Sequence, residues 1–302
     1  MRRCRYPDGR YGAGSRGIAL IAVLWFVVLL SLVATAFLSV TRNGIREAEG
    51  VLDRARAEQL ADSGIELGIM LLLEPAHHPG LRTDGGVRMV DDGGRVAVSI
   101  QDVGGCIDLN EAEEPLLRAL FLSAGLPEER AAALADAVVD WRDADGERLA
   151  AGAEAADYQR AGLPHGPANR PFYAVSELRQ VIGVDRAIYA AVAPSLTVFS
   201  GSPDVDASVA PPLVRTALQA AGIDIEPEEP AAPATPVARA GASRRSWGRD
   251  RPALPASETD TYAIRAEAVL AGGARFVREA VVILTGDRRQ PYTVQAWGTP
   301  GG

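Results

Sequence analysis

The chain is expected to fold as α+β, with a long N-terminal helix, transmembrane in its first part, packed on an antiparallel β-sheet, and with a large all-helical domain inserted between strands. Three observations predict it. Residues 18–40 run for 23 positions without a charge; apolar residues then continue at spacings of three and four; and strand-like alternation near residue 96 returns only after residue 258, with helical patterns between.

The uncharged run, Ile18 to Val40, justifies the first element. A hydrocarbon core of about 30 Å takes roughly 20 helical residues, so the run is long enough to span. Residues 1–17 form a basic leader with five arginines against Asp8, while only Arg42 follows the run closely. The positive-inside rule then puts the N-terminus in the cytoplasm and the body on the other side of the membrane, periplasmic or extracellular. A cleavable secretory signal ending at Ala34–Ala36 is the competing reading. Helical periodicity continues past the run, with Ile45, Ala48, Leu52 and Ala55, then Leu60, Gly64, Leu67 and Leu71, on one side and Arg46, Glu47, Glu49, Asp53 and Arg54 on others. One helix over residues 18–74 is expected, roughly 84 Å long for the part ending near Leu73.

Residues 75–107 hold the first β-region. "HHPG" and "TDGG" read as chain breakers, with His77 and His78 in an exposed loop. "VRMV" and "VAVSIQDV" flank "DDGG" as a hairpin in which Val96, Val98 and Ile100 alternate with Ala97, Ser99 and Gln101. Residues 108–225 are helical by pattern. Pro115 stands in a first turn, Gly125 stops that helix, and Pro127 opens a second ending near Trp141. "SELRQVIGVDRAIYAAVAPSL" gives a second pair, with Ser176 as N-cap and Gly183 as the turn, and "DASVAPPLVRTALQAAG" a further helix. Residues 226–257, rich in Pro, Ala and Arg, read as a linker. Residues 258–302 return to strands in "TYAIRAEAVL", "RFVREAVVIL" and "YTVQAWG".

Composition narrows the function. All 31 basic residues are Arg, a codon-bias signature, and the net charge is −8 despite the basic leader. So acidic a body argues against nucleic acid, and the helical pair turning at "IGVD" carries Asp185 where a phosphate-binding turn needs basic neighbours. Cys4 lies in the leader and Cys106 in the body, which leaves no internal disulfide. Ser63 and Ser176 have no His in a nucleophile setting, and His165 reads as a loop residue, so no enzyme is expected. A membrane-anchored hydrolase is the enzyme-class alternative. Trp247 in the linker, among Arg244, Arg245 and Arg249, is either an exposed contact or disordered.

One acidic segment has cation-loop spacing. Asp143, Asp145 and Glu147 stand at positions 1, 3 and 5 of a calcium-type loop and Glu154 at position 12, with Asp140 just before. Arg148 holds position 6, where that loop needs Gly. The alternative is a solvated acidic loop after a helix.

The segments "RGIALIAVLW", "AEQLADSGIELGI", "IDLNEAEEPLL", "LADAVVDWRDADG", "GAEAADY", "ANRPFYAVSELRQVIGV" and "VAPSLTVFS", in this order, resemble the K-class minor pseudopilins of bacterial type II secretion. The resemblance implies the fold above, with helix-hairpin-helix or SAM-like pairs in the inserted domain and calcium bound there. It implies cleavage by prepilin peptidase between Gly17 and Ile18, with methylation of the new amino terminus. It further implies a structural role at the tip of the pseudopilus, assembly with I- and J-class pseudopilins and the major pseudopilin, contact with secretin or cargo, and export of folded proteins across the outer membrane. The fifth residue counted from Ile18 is Ala22, where most pilins carry Glu; that loss is expected of a tip subunit, which has no neighbour beyond it to neutralise. A minor pilin with an adhesive tip role is the alternative. Asp108 and Asp206 stand where Asn is common in the family, and the 226–257 segment is unusually long.

Overall fold

The computed structural model describes residues 15–75, 78, 81–89, 96–223 and 260–299. The leader up to residue 14, His77, the "DDGG" turn and the whole of 226–257 with Trp247 lie outside the described residues. The chain divides into two compact units, residues 1–55 and 56–302.

Helix α1, Ser15–Leu73, provides all the described structure of the first unit. Its apolar stretch, Leu20–Phe37, has a mean hydropathy of 2.7 and no residue buried within the protein. The two hydroxyls there turn inward on the helix itself: Ser31 Oγ donates to the Val27 carbonyl and Thr35 Oγ1 to the Ser31 carbonyl, both at 2.8 Å. Back-bonding of this kind leaves no polar group unsatisfied in a hydrocarbon setting.

In the second unit, β1 (Asp84–Met89), β2 (Val96–Asp102), β5 (Thr261–Val269), β6 (Arg275–Leu284) and β7 (Tyr292–Gly298) form one sheet in the order β1-β2-β5-β6-β7. Every pair is antiparallel, with Val98 opposite Ala266 and Ile264 opposite Ala280. Residues 56–73 of α1 cover one face, burying Ile65, Ile69, Leu71 and Leu72 against Val96, Val98, Ile100, Tyr262, Ile264, Ala266, Ala280 and Val282.

The approach is set by small residues. A Cβ at Gly64 would lie 2.7 Å from the Ala266 Cβ, and one at Gly68 would lie 2.7 Å from Ile264 Cγ2. Ala57 and Ala61 continue the same contact with no exposure. The expected stripe is met in part: Gly64 and Leu71 are buried, Leu60 and Leu67 are half-buried at its margin, and Leu52 and Ala55 are exposed. Gly and Ala occupy the closest approach of helix and sheet, and Ile65, Ile69, Leu71 and Leu72 pack around it. The side chains of Ile45 and Ala48 lie outside the described set.

"TDGG" is not a breaker. Asp84–Gly86 enter β1 through a bulge opposite β2, with Gly85 at φ +78° and the Asp84 carboxylate accepting from Gly86 N at 3.1 Å and Arg82 Nε at 2.8 Å. Turn chemistry here produces a strand irregularity rather than a loop.

Arg278 on β6 ties the sheet to the helix. Its guanidinium reaches Asp62 and Glu58 of α1, both at 2.6 Å, and lies 4.9 Å from the Phe276 ring and 5.6 Å from the Trp297 ring. Only 11% of its side chain is exposed, so its stem packs as well as pairs. Arg278→Ala is expected to lower unfolding stability by about 2 kcal/mol, since charge-assisted hydrogen bonds and covered apolar stem are lost together. Thermal unfolding at low and high salt checks this, and the loss should persist in high salt because packing carries part of it.

The helical block lies between β2 and β5. It contains α2 (Glu114–Ser123), α3 (Glu128–Arg142), α4 (Ala155–Arg160), α5 (Arg186–Val192) and α6 (Pro212–Ala220). Leu116, Leu117, Leu120, Phe121, Leu134, Val138, Trp141, Tyr158, Val214 and Leu218 are prominent in its core. Gly125, at φ +89°, and Gly183, at φ +83°, make the turns expected of them.

Two local expectations change. Ser176 does not cap a helix: residues 175–180 are a 3₁₀ turn whose N-cap is Ala174, and the capping side chain of this region is Asp185, which accepts from Ala187 N at 2.8 Å and Ile188 N at 2.9 Å. Nor is the block all-helical, because β3 (Ile107–Asp108) pairs in parallel with β4 (Leu196–Thr197). Such a two-residue pair carries no periodicity for a sequence reading to detect.

That pair sits at the root of the insertion, where Asp108 is the organising residue. It is 2% exposed; Oδ1 accepts from Asn110 N at 2.8 Å, and Oδ2 accepts from Ser200 N at 3.0 Å, Ser200 Oγ at 2.9 Å and Gly201 N at 3.0 Å. Beside it, Asp206 N donates to the Gly104 carbonyl at 2.8 Å and Gln101 Nε2 to the Val209 carbonyl at 3.1 Å. A Cβ at Gly105 would lie 2.5 Å from Val209 O, so backbone meets backbone there. Entry and exit of the block are thus bonded to each other.

Candidate functional site

The expected site residues fall in two places. Gly17 and Ile18 lie in the first turns of α1, and their side chains are outside the described set; Ala22 is exposed on the apolar helix. The apolar stretch is the one helix among the described residues long and apolar enough to cross a membrane. It is consistent with a membrane anchor.

The acidic residues belong to the loop joining α3 to α4. Asp140 is fully buried on α3, Asp143 caps the C-terminus of α3, Asp145 and Glu147 are exposed in the loop, and Glu154 is the N-cap of α4. Helix α3 holds this loop by two carboxylates one turn apart. Asp136 Oδ2 accepts from Ala151 N at 2.8 Å, and Asp140 accepts from Leu149 N with both oxygens, at 3.2 and 3.3 Å. Gly152 is required by this contact, because a Cβ there would collide with the Asp140 carboxylate.

Three of the five carboxyls have acidities shifted in one direction. Burial pushes Asp140 up, with repulsion from Asp143 and Asp136 adding to it and backbone N–H groups opposing it. Asp143 is raised by burial and then by Asp145. Glu154 is raised by burial and by Asp140, Asp143 and Asp145. Glu147 is not among the charges acting on them. Glu154 Oε1 and Asp143 Oδ1 are buried without a hydrogen-bond partner. Among the described residues no three His, Cys, Asp or Glu side chains converge closely enough to hold a metal as they stand.

An aromatic group backs the loop. Trp141 stacks on Phe172 with centroids 6.0 Å apart and meets Tyr158 at 6.2 Å and His165 edge-on at 6.3 Å. His165 is therefore part of an aromatic cluster and not simply a loop residue. Tyr158 Oη accepts from Ile182 N at 3.1 Å, and burial first, then Asp140 and Glu154, push its hydroxyl up to about 12. Asn110 exchanges two hydrogen bonds with the Phe172 backbone, at 2.7 and 3.0 Å, while Arg142 donates to the Leu109 and Ala112 carbonyls at 2.5 and 2.6 Å. Asp136 and Gly152 are not marked by the sequence patterns; an acid one turn before Asp140 and a glycine ahead of a cap are the available signals.

The fold and apolar segment define a class: a chain with one potential membrane-crossing helix, continuing onto an antiparallel sheet that carries a helical insertion. Residues 98–201 match the family described as type II secretion system (T2SS), protein K. Over these residues the chain is similar to the type II secretion protein K family. Type II secretion system protein K of Pectobacterium carotovorum subsp. carotovorum is 29% identical over 201 residues, covering 59% of this chain and 61% of that protein. The protein of the same description from Pseudomonas aeruginosa PAO1 is 30% identical over 192 residues, covering 55% and 57%. The chain thus spans about three fifths of the length of the curated relatives it matches. A chain from the crystal structure of the GspK-GspI-GspJ complex of the enterotoxigenic Escherichia coli type 2 secretion system superposes with a TM-score of 0.47 at 18% identity, covering 86% of this chain and 98% of that one.

Proposed function

We propose that the chain is a structural minor pseudopilin at the tip of the type II secretion pseudopilus, which starts assembly there and aids export of folded proteins across the outer membrane. The observation that carries this is the uncharged helix Leu20–Phe37, preceded by Gly17 and Ile18 and bearing Ala22 in place of an acid. A stem without that acid offers no carboxylate to the amino terminus of a neighbour in the membrane, where an unpaired charge is costly. Such a stem suits the end of a filament. The N-terminus is cytoplasmic and the body periplasmic in this reading, by the distribution of arginine. Partners are I- and J-class pseudopilins, as in the complex of the Escherichia coli protein, together with the major pseudopilin, and the secretin or cargo at the tip. Intact mass and N-terminal sequencing with and without prepilin peptidase test it. Peptidase-dependent cleavage to Ile18 with one added methyl is expected; an uncut chain, or a start near Thr35 to Phe37, would overturn it.

The acidic loop completes the proposal as a calcium site. Asp143 and Glu154, whose buried oxygens lack a partner, are the residues to hold the ion with Asp145, while Asp140 and Asp136 brace the loop. The ion supplies positive charge where carboxylates repel. A carboxyl raised above its unfolded value binds an extra proton in the folded state, so its contribution to stability falls as pH rises. The window opens near the ordinary values, 3.8 for Asp and 4.5 for Glu, and extends upward through the raised ones. Metal-free protein should therefore gain thermal stability as pH falls from neutral toward the ordinary carboxylate range. Millimolar calcium should raise the midpoint at pH 7 and flatten that gain, and Glu154→Gln should reduce both effects. A midpoint at pH 7 indifferent to calcium would remove the metal from the proposal.

A further inference from the structure

One helix cannot cover a five-stranded sheet. Neighbouring strands lie about 4.8 Å apart, so β7 is roughly 10 Å from β5, the distance at which two packed helices set their axes. The core under α1 is drawn from β2, β5 and β6. In register, Val294 of β7 lies opposite Val282 and Trp297 opposite Ala280, both of which face α1, so Val294 and Trp297 stand on the helix-bearing side. They are 44% and 47% exposed.

On the far edge, the backbone of Arg88 in β1 is in register with Val98. On the β7 edge the strip is apolar, floored by Arg278 between the Phe276 and Trp297 rings. Its other wall is the flank of α1 that carries Glu58 and Asp62, which pair with Arg278, and one helical turn on the exposed Glu66. Glu66 has no partner among the described residues.

We infer that this strip between α1 and β7 is the docking site for an amphipathic helix of a partner subunit. Width favours a helix over a strand, because the uncovered row lies beside a helix at helix-packing distance. Charge sets its orientation: apolar residues at spacings of three and four meet Val294 and Trp297, and an Arg or Lys on the flank toward α1 meets Glu66. The inference rests on the pseudopilin reading for the identity of the partner.

The test uses the full chain in detergent with I- and J-class pseudopilins of the same secretion system. Val294→Glu with Trp297→Glu is expected to weaken complex formation at least ten-fold, while Val87→Glu on the opposite edge leaves it unchanged. A photoreactive phenylalanine analogue at position 297 should cross-link to a helix of one partner, which keeps the test valid if the double variant folds poorly. Wild-type affinity in the double variant, or cross-links to a strand, to this chain's own residues or to a second copy of it, overturns the strip as a partner site. If the unaltered chain binds neither partner, the pseudopilin reading fails and the strip fails with it.

Discussion

Asp108→Ala is expected to lower unfolding stability by about 3–4 kcal/mol, the larger of two effects placed in the fold. The substitution leaves the backbone N–H groups of Asn110, Ser200 and Gly201 without the carboxylate they share, itself 2% exposed. An orphaned buried donor costs about 1–3 kcal/mol, and three neighbours relax together rather than additively. The thermal midpoint should fall by roughly 10 °C in a unit of this size. Asp108→Asn is the informative companion. An amide offers one carbonyl oxygen where the carboxylate uses two, so either Asn110 N or the Ser200 and Gly201 pair faces an NH₂ group. A loss of about 1–2 kcal/mol is expected, and equal midpoints for Asn and Ala variants would contradict the account.

Gly68→Leu is expected to cost about 3 kcal/mol or more. The new Cβ alone would sit 2.7 Å from Ile264 Cγ2, and the rest of the side chain has no space between α1 and the sheet. The helix must lift, which exposes part of the row formed by Ile65, Ile69 and Leu72. Hydrogen exchange of β5 amides and the thermal midpoint should both report it. Gly50, beside which nothing lies within 4 Å, is the control: Gly50→Leu should leave stability unchanged or raise it slightly by helix propensity. Equal behaviour at positions 50 and 68 would mean that the close helix–sheet approach does not hold in solution.

Those two residues show what a single sequence reveals here. The apolar run and its helical continuation are local patterns, and α1 spans Ser15–Leu73 accordingly. The three C-terminal strands alternate or run apolar between turns, and β5, β6 and β7 follow them closely. The seat of α1 on the sheet was legible in part: Gly64 and Leu71 of the expected stripe are buried there, but Leu60 and Leu67 lie at its margin and the closest approach also uses Ala57, Ala61 and Gly68. Residues 175–180 were expected as an α-helix and wind as 3₁₀, since Ser176 had the chemistry of a cap but the turn into it begins earlier. The acidic loop was visible as a spacing, but its bracing was not. Asp136 and Asp140 act on backbone groups nine to fifteen residues away, and nothing in their local sequence distinguishes a buried brace from an exposed acid.

The bonded root of the insertion bears on the order in which the chain folds. Strands β2 and β5 must pair although Asp102 and Tyr262 are about 160 residues apart in sequence, a long loop to close. Helices α2 and α3 of the block are adjacent in sequence and are the faster part to form. Once Gly104 meets Asp206 and Gln101 meets Val209, the span left between Val209 and Tyr262 is about a third as long. By the logarithmic law of loop closure that shortcut reduces the entropic cost of joining the sheet by about 1 kcal/mol. The insertion would then act as an internal staple for the sheet it interrupts, so that weakening Asp108 should slow refolding of β2 and β5, which lie outside the block it organises.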